Sequence, residues 1–233
     1  MSNYKLLTCL LLPIMFACNP KEEQQTKEDE ATEHHEDHGA NEYMHQSSFD
    51  ALKERFEGAA RDEYQEPEKV MDWLDIQSGS TVMDIGAGTG YFSFRLAEAG
   101  AKVIAADVDS LFQNYIKHKR DSLNIDSESL ELRLLPYDSP MLNPSEADMV
   151  LIVNTWHHIE NRPDYGSKIK EGLKEDGELV IIDFFKEELP VGPPPNHKLT
   201  MDEVIQELKA AGFSNITTND TLLRYQYCIR AKR

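Results

Sequence analysis

The sequence predicts an α/β fold: a doubly wound, mainly parallel, seven-stranded Rossmann-like sheet with an antiparallel last strand. Three observations carry that expectation. Apolar runs recur about 20 to 30 residues apart and are near-continuously apolar, as strands buried on both faces are. Helical stretches alternate with them. A glycine-rich bend, Gly86-Ala87-Gly88-Thr89-Gly90, separates the first of these runs from the helix after it.

Folded structure is expected from residue 47 to residue 233. Phe49, Leu52 and Phe56 recur at helical spacing, and Pro67 suits the first turn of a second helix that carries Val70, Met71 and Leu74 on one face. Ser78-Gly79-Ser80 reads as a turn. The strand candidates follow at Thr81–Ile85, Val103–Ala106, Leu130–Leu135, Met149–Val153 and Leu179–Ile182. Between them lie helices over Tyr91–Ala99, closed by Gly100, then Leu111–Leu123 and Tyr165–Leu173. A capping box, Thr200 with Glu203, opens the last helix, which ends at Gly212. Two further strands are expected at Asn215–Thr218 and Leu222–Ala231. Cys228 falls in this last run as a small core residue.

The N-terminal residues are of another kind. Lys5 precedes an apolar stretch, Leu6 to Ala17, too short to span a bilayer but suited to a secretory signal over residues 1–17. Met15-Phe16-Ala17-Cys18 resembles a bacterial lipoprotein signal, which implies that Cys18 is lipidated and that the chain is exported and held at a membrane surface without spanning it. Cys9 would leave with the signal, so no intrachain disulfide is expected. Residues 18–46 read as a disordered acidic tether: Asn19 to Asp50 hold ten acidic residues against two lysines, a net of −8 out of the chain's −18. His34, His35, His38 and His45 lie among these acids. With no frame to fix ligand geometry they read as a solvated tail, and no metal is expected. A start at Met44 would instead make the protein cytoplasmic.

The bend does not match the phosphate-binding patterns. A dinucleotide fingerprint needs its third glycine where Tyr91 stands, and a P-loop needs Gly-Lys-Ser/Thr. Asp84-Ile-Gly-Ala-Gly-Thr-Gly90 resembles instead the first motif of class I S-adenosylmethionine-dependent methyltransferases. Four more features agree in order. Asp107, in Ala105-Ala-Asp107-Val108-Asp109, ends the second strand. Asp138 follows the third in Leu135-Pro-Tyr-Asp138-Ser139-Pro-Met-Leu142. Asp148-Met-Val leads through Asn154 to His157-His158, and Leu173-Lys-Glu-Asp-Gly177 resembles the turn before strand five. The resemblance covers about Phe49 to Arg233. It implies that Asp84, Gly86, Ala87, Gly88, Gly90, Tyr91, Val108 and Ser139 border the cofactor, that Asp107 holds its ribose hydroxyls, and that Asp138 sits by its adenine. Asn154 is placed at the same site. Arg61-Asp-Glu-Tyr64-Gln65-Glu-Pro67 is similar to a segment of a bacterial subgroup, with Tyr64 in place of Trp. It implies that Tyr64 and Gln65 fold over the cofactor as a lid, against the plainer reading of helix packing. Val191-Gly-Pro-Pro-Pro195-Asn-His197 resembles that subgroup's stiff loop over the substrate mouth.

S-adenosylmethionine is thus the expected cofactor, and methyl transfer the expected reaction. An acceptor that loses a proton needs a base, for which His157, His158, Asp183 and His197 are candidates. The two adjacent histidines are expected to diverge, with one facing the cleft. A soft acceptor atom needs no base. The strong acidity and lack of a basic stripe argue against nucleic acid, leaving a small-molecule acceptor. Trp156, Phe184 and Phe185 read either as core or as an apolar substrate surface. The alternative to an enzyme is a membrane-tethered binding module that keeps the adenosyl pocket and methylates nothing.

Overall fold

The computed structural model describes residues 47–233; the signal segment, Cys18, the tether and its histidines lie outside them. Three short helices come first: α1 (Phe49–Glu57), α2 (Ala59–Gln65) and α3 (Pro67–Leu74). Ser48 caps α1 through its side chain, and Pro67 occupies the first turn of α3, where its missing N–H costs nothing. The break at Gly58 separates α1 from α2, a helix the apolar spacing did not indicate.

The rest alternates as β1 (Thr81–Ile85), α4 (Tyr91–Glu98), β2 (Lys102–Asp107), α5 (Ser110–Ser122), β3 (Leu130–Leu134), β4 (Ala147–Val153), α6 (Arg162–Gly172), β5 (Leu173–Phe184), α7 (Met201–Ala210), β6 (Ser214–Asn219) and β7 (Gln226–Lys232). The seven strands form one sheet in the order β3-β2-β1-β4-β5-β7-β6. β1 to β5 are parallel, and β7 pairs antiparallel with β5 and β6. Strand order reverses between β1 and β4, and in open sheets of this kind ligands bind at the carboxyl ends of the strands on either side of such a point.

Residues alternate across the sheet because side chains on a strand point to opposite faces. Met83, Ile104, Ile152 and Ile181 pack with Tyr165, Ile169, Val204 and Leu208 of α6 and α7. Val82, Val103, Leu151 and Val180 pack on the other face with Val70, Leu74, Leu96 and Ile116 of α3, α4 and α5. Cys228 is buried in that second layer, a free thiol. Among the described residues no helix is long and apolar enough to cross a membrane.

Three boundaries differ from expectation by three residues or more. The last strand begins at Gln226 rather than Leu222, because Asn219 Oδ1 accepts from the backbone N–H groups of Thr221 and Leu222 and turns the chain there. Leu223 is buried in the helix-facing core, not in a strand. α6 starts at Arg162, ahead of Tyr165, with Pro163 in its first turn. β5 starts at Leu173, where the register to β4 is irregular: Ala147 opposes Leu173 and Met149 opposes Glu178.

Candidate active site

The glycine bend follows β1. Gly86, Gly88 and Gly90 have φ of +74°, +55° and +79°, the left-handed region that side chains resist. Their surroundings differ. A Cβ on Gly86 would lie 2.3 Å from Thr155 Oγ1, and one on Gly90 would lie 2.7 Å from the Phe94 ring. Those two glycines make room for the protein itself. A Cβ on Gly88 would meet only the Phe56 ring of α1, at 3.3 Å. Ala87 is buried in the core, and Tyr91 opens α4. Asp84 is buried behind the bend, where its carboxylate accepts from Ser93 Oγ at 2.6 Å. Burial pushes its pKa up to about 6.

Asp107 ends β2 and is the bend's anchor. Its Oδ2 accepts from Gly88 N at 2.8 Å and its Oδ1 from Asp109 N at 2.9 Å. Burial outweighs these bonds and raises its pKa to about 6. Val108, Leu111, Leu134, Tyr137 and Met141 are exposed large apolar residues, all in segments at or just past the carboxyl ends of β2 and β3. Asp138 is exposed in the loop after β3, and its backbone carbonyl accepts from Lys168 Nζ at 2.9 Å. Ser139 Oγ accepts from Met141 N at 3.2 Å, a local turn bond.

Gln65 is fully buried. It donates from Nε2 to Gln226 Oε1 at 3.0 Å and accepts from Asn154 Nδ2 at 3.2 Å. Gln226 Nε2 donates to Asn154 Oδ1 at 2.6 Å, which closes a ring of three amides joining α2, the end of β4 and the start of β7. Tyr64 beside it is half-buried, with its ring 5.8 Å from that of Phe184. Sequence reasoning missed Gln226; its signal was a polar residue directly ahead of the run Tyr227-Cys228-Ile229.

The candidate acid–base residues come together at the ends of β4 and β5. His157 Nδ1 lies 2.9 Å from each carboxylate oxygen of Asp183, with both side chains almost wholly buried. Asp183 Oδ1 also accepts from Phe184 N. The two histidines do not diverge as expected. Residues Trp156–His158 form a 3₁₀ turn, and the rings of His157 and His158 lie 4.3 Å apart at 36°. Burial, with help from His157 and His197, lowers the His158 pKa to about 3 and keeps its imidazole neutral. His197 closes a 3₁₀ turn in the proline loop, and its Nδ1 is buried without a partner. Lys198, which the sequence did not single out, is buried next to it and donates to the Glu187 carbonyl at 2.9 Å. Trp156 and Phe184 are core: the Trp156 indole is fully buried and donates to Glu207 at 2.9 Å. Phe185 is partly buried on Tyr227. No cluster of three or more His, Cys, Asp or Glu among the described residues is suited to a metal ion.

The donor set fits an adenosyl sulfonium better than a phosphate. Two buried carboxylates, Asp84 and Asp107, flank the bend and repel an anion there. Thr89 Oγ1 in the bend is buried without a partner, and the Asp107 carboxylate can accept from hydroxyl groups.

Comparison with known proteins points the same way. The methyltransferase domain family matches residues 76–225. The solved structure of a SAM dependent methyltransferase from Aquifex aeolicus superposes with a TM-score of 0.70 at 25% identity, covering 80% of this chain and 98% of that one. Geranyl diphosphate C-methyltransferase from Streptomyces coelicolor shares the fold, at 15% identity and a TM-score of 0.61, over 72% of this chain and 75% of that one. Curated relatives include tRNA U34 carboxymethyltransferase of Haemophilus influenzae, 31% identical over 116 residues. That match spans 49% of this chain and only 35% of the relative. The match over residues 76–225 and the shared fold place this chain: it belongs to the methyltransferase domain family, S-adenosylmethionine-dependent methyltransferases of the class I fold.

Proposed function

We propose that this chain methylates an oxygen or nitrogen of a small-molecule acceptor, with the His157–Asp183 pair handling the acceptor's proton. The observation that carries this reading is the paired 2.9 Å contact of His157 Nδ1 to both Asp183 oxygens. Such a contact fixes the ring and leaves Nε2 as the nitrogen that takes a proton. The neutral His158 stacked beside it and the orphaned Nδ1 of His197 add polar groups to the same end of the sheet.

Asp107 would hold the cofactor's ribose hydroxyls, with Gly86, Gly88 and Gly90 keeping the bend open and Val108 and Ser139 near the base. When bound, S-adenosylmethionine supplies an electrophilic methyl group on a sulfonium. The chain's own task is then to bind and orient the acceptor, exclude water and remove one proton. A net charge of −18 speaks against an RNA acceptor, since phosphate attraction supplies most of such affinity. The tRNA-modifying relatives align over a third of their length, so their acceptor does not carry over.

The remaining part of the reading concerns residues 1–46. Cys18 is proposed to carry lipid and hold the domain at a membrane surface through the acidic tether, on the strength of the signal-like stretch before it. Intact-mass measurement of the native protein tests it: a lipid adduct on Cys18 supports the anchor, and a chain beginning at Met44 overturns it.

Isothermal calorimetry with S-adenosylhomocysteine, followed by product tracing with labelled cofactor over small hydroxyl and amine acceptors, tests the enzyme. Micromolar binding lost in Asp107→Ala, together with a labelled product, is the expected result. Binding with no labelled product from any acceptor marks a binding module instead.

A further inference from the structure

The loop between β5 and α7 packs on the end of β5 and is tied down along its length. A Cβ on Gly192 would lie 2.8 Å from the Phe184 ring, so the loop backbone sits directly on that ring. Lys198 Nζ lies 5.7 Å from the centre of the same ring and donates to the Glu187 carbonyl at 2.9 Å. The Leu199 carbonyl accepts from the Tyr227 hydroxyl at 3.3 Å. Pro193, Pro194 and Pro195 stiffen the stretch between, and the 3₁₀ turn Pro195–His197 closes it. His197 is thus held by its loop, yet its Nδ1 is buried without a hydrogen-bond partner. A buried polar atom left so costs free energy unless something meets it.

The charges beside His197 narrow what that is. Lys198 is 2% exposed. The Glu187 carbonyl is its hydrogen-bond partner, and among the described residues no carboxylate forms an ion pair with it. Burial lowers its pKa, against the pull of Glu188, Glu187 and Asp183 from further away. Asp183 itself is engaged by His157 Nδ1 and Phe184 N. His158 stacks on His157 and lies within electrostatic reach of His197. In a chain of net charge −18, the ends of β4 and β5 therefore gather three imidazoles and a buried ammonium near the Asp183 carboxylate. A carboxylate on a ligand offers Lys198 the ion pair it lacks and offers a proton on His197 Nδ1 an acceptor. A ligand with hydroxyl groups alone leaves Lys198 unpaired, and a cationic one is repelled by it.

We propose that His197 and Lys198 bind a carboxylate of the acceptor, so that the acceptor is a small organic acid whose methylated oxygen or nitrogen lies elsewhere on the molecule. The proposal rests on the methyl-transfer reading above, and two measurements separate them. The first titrates acetate, the carboxylate alone, and acetamide, its neutral counterpart, into the full chain with S-adenosylhomocysteine bound, at constant pH and ionic strength. NMR of nitrogen-labelled histidine rings is the readout. Acetate is expected to shift the His197 signals saturably over about 1–50 mM, as suits so small a ligand, and acetamide to leave them in place. Lys198→Met is expected to weaken acetate by about 10-fold or more, the loss of a charge-assisted pair. The second traces labelled methyl from the cofactor over a panel of hydroxy and amino acids, each beside its carboxamide. Products that keep a free carboxylate are expected from the acids, with kcat/KM about 10- to 100-fold above that of the amides. His197→Asn is expected to reduce that preference through KM, and it serves if Lys198→Met fails to fold. An unmoved His197 signal with acetate, an equal shift with acetamide, equal products from acids and amides, or a methyl ester as product each overturn the proposal and leave methyl transfer standing. Acetate binding with no product from any acid or amide overturns the methyl-transfer reading and the acceptor role together.

Discussion

His157 Nδ1 contacts both oxygens of Asp183 at 2.9 Å, inside a pair of side chains that water hardly reaches. A carboxylate so placed orients the ring. Asp183→Asn keeps the shape but replaces one acceptor oxygen by an amide donor and loosens that orientation. Turnover is expected to fall by about 10²- to 10⁴-fold, the range of a general base, with S-adenosylhomocysteine affinity unchanged. Labelled-product kinetics and calorimetry on the same preparation check it. An unchanged rate would mean that the acceptor needs no base.

The two buried carboxylates set a pH dependence. Asp84 and Asp107 both have a pKa near 6 in the folded chain, raised from 3.8 by burial. A raised pKa means that the folded state binds the proton more readily than the unfolded one. Their contribution to stability is therefore fully present below pH 3.8 and lost as pH rises through 6. The cost at neutral pH is of order 2–3 kcal/mol for each carboxylate. Thermal melts of the ligand-free domain between pH 7.5 and 5 should show Asp107→Asn gaining stability over wild type at the upper end and less at the lower.

Ligand binding should run the opposite way. An ionised Asp107 is the stronger acceptor for hydroxyl groups. Affinity for S-adenosylhomocysteine is expected to weaken as pH falls through 6, and Asp107→Asn to bind weakly with a flatter profile. Calorimetry across that range reads it directly.

Glycines of one bend should not respond alike. Gly86→Ala drives a Cβ to within 2.3 Å of Thr155 Oγ1 at a φ of +74°, and a fall of about 3–5 kcal/mol in unfolding free energy is expected. Gly88→Ala meets only the edge of the Phe56 ring at 3.3 Å, so the backbone penalty of about 1–2 kcal/mol should dominate. Urea denaturation of both variants gives the comparison.

Gln226→Leu breaks the ring of amides. Gln65 Nε2 and Asn154 Oδ1 each lose a bond in a fully or partly buried setting. A loss of about 2–4 kcal/mol is expected, as for buried polar groups left without partners. Cofactor affinity should fall as well, because α2 is no longer pinned to the start of β7.

Much of this architecture was legible in the chain. Runs such as Met149–Val153 and Leu179–Ile182 are apolar at every position because helices cover both sheet faces, and that pattern has few other readings. The bend was legible because backbone geometry favours glycine there, and Asp107 through its resemblance to the second methyltransferase motif. What could not be read depended on the third dimension. Leu222 and Leu223 extend the apolar run of β7, yet the Asn219 turn takes them out of it. The His157–His158 stack follows from a 3₁₀ turn that no spacing announces. Gln65 and Gln226 lie 161 positions apart, and their hydrogen bonds to each other and to Asn154 explain why a polar group is tolerated at either place.

The thiol of Cys228 has one more implication. It is walled in by β5, β6 and the helices over them, and burial lifts its pKa to about 12. Almost none of it exists as thiolate, the form that oxidants and disulfide exchange attack. Oxidising surroundings would find nothing on this domain to cross-link, and reducing ones nothing to cleave.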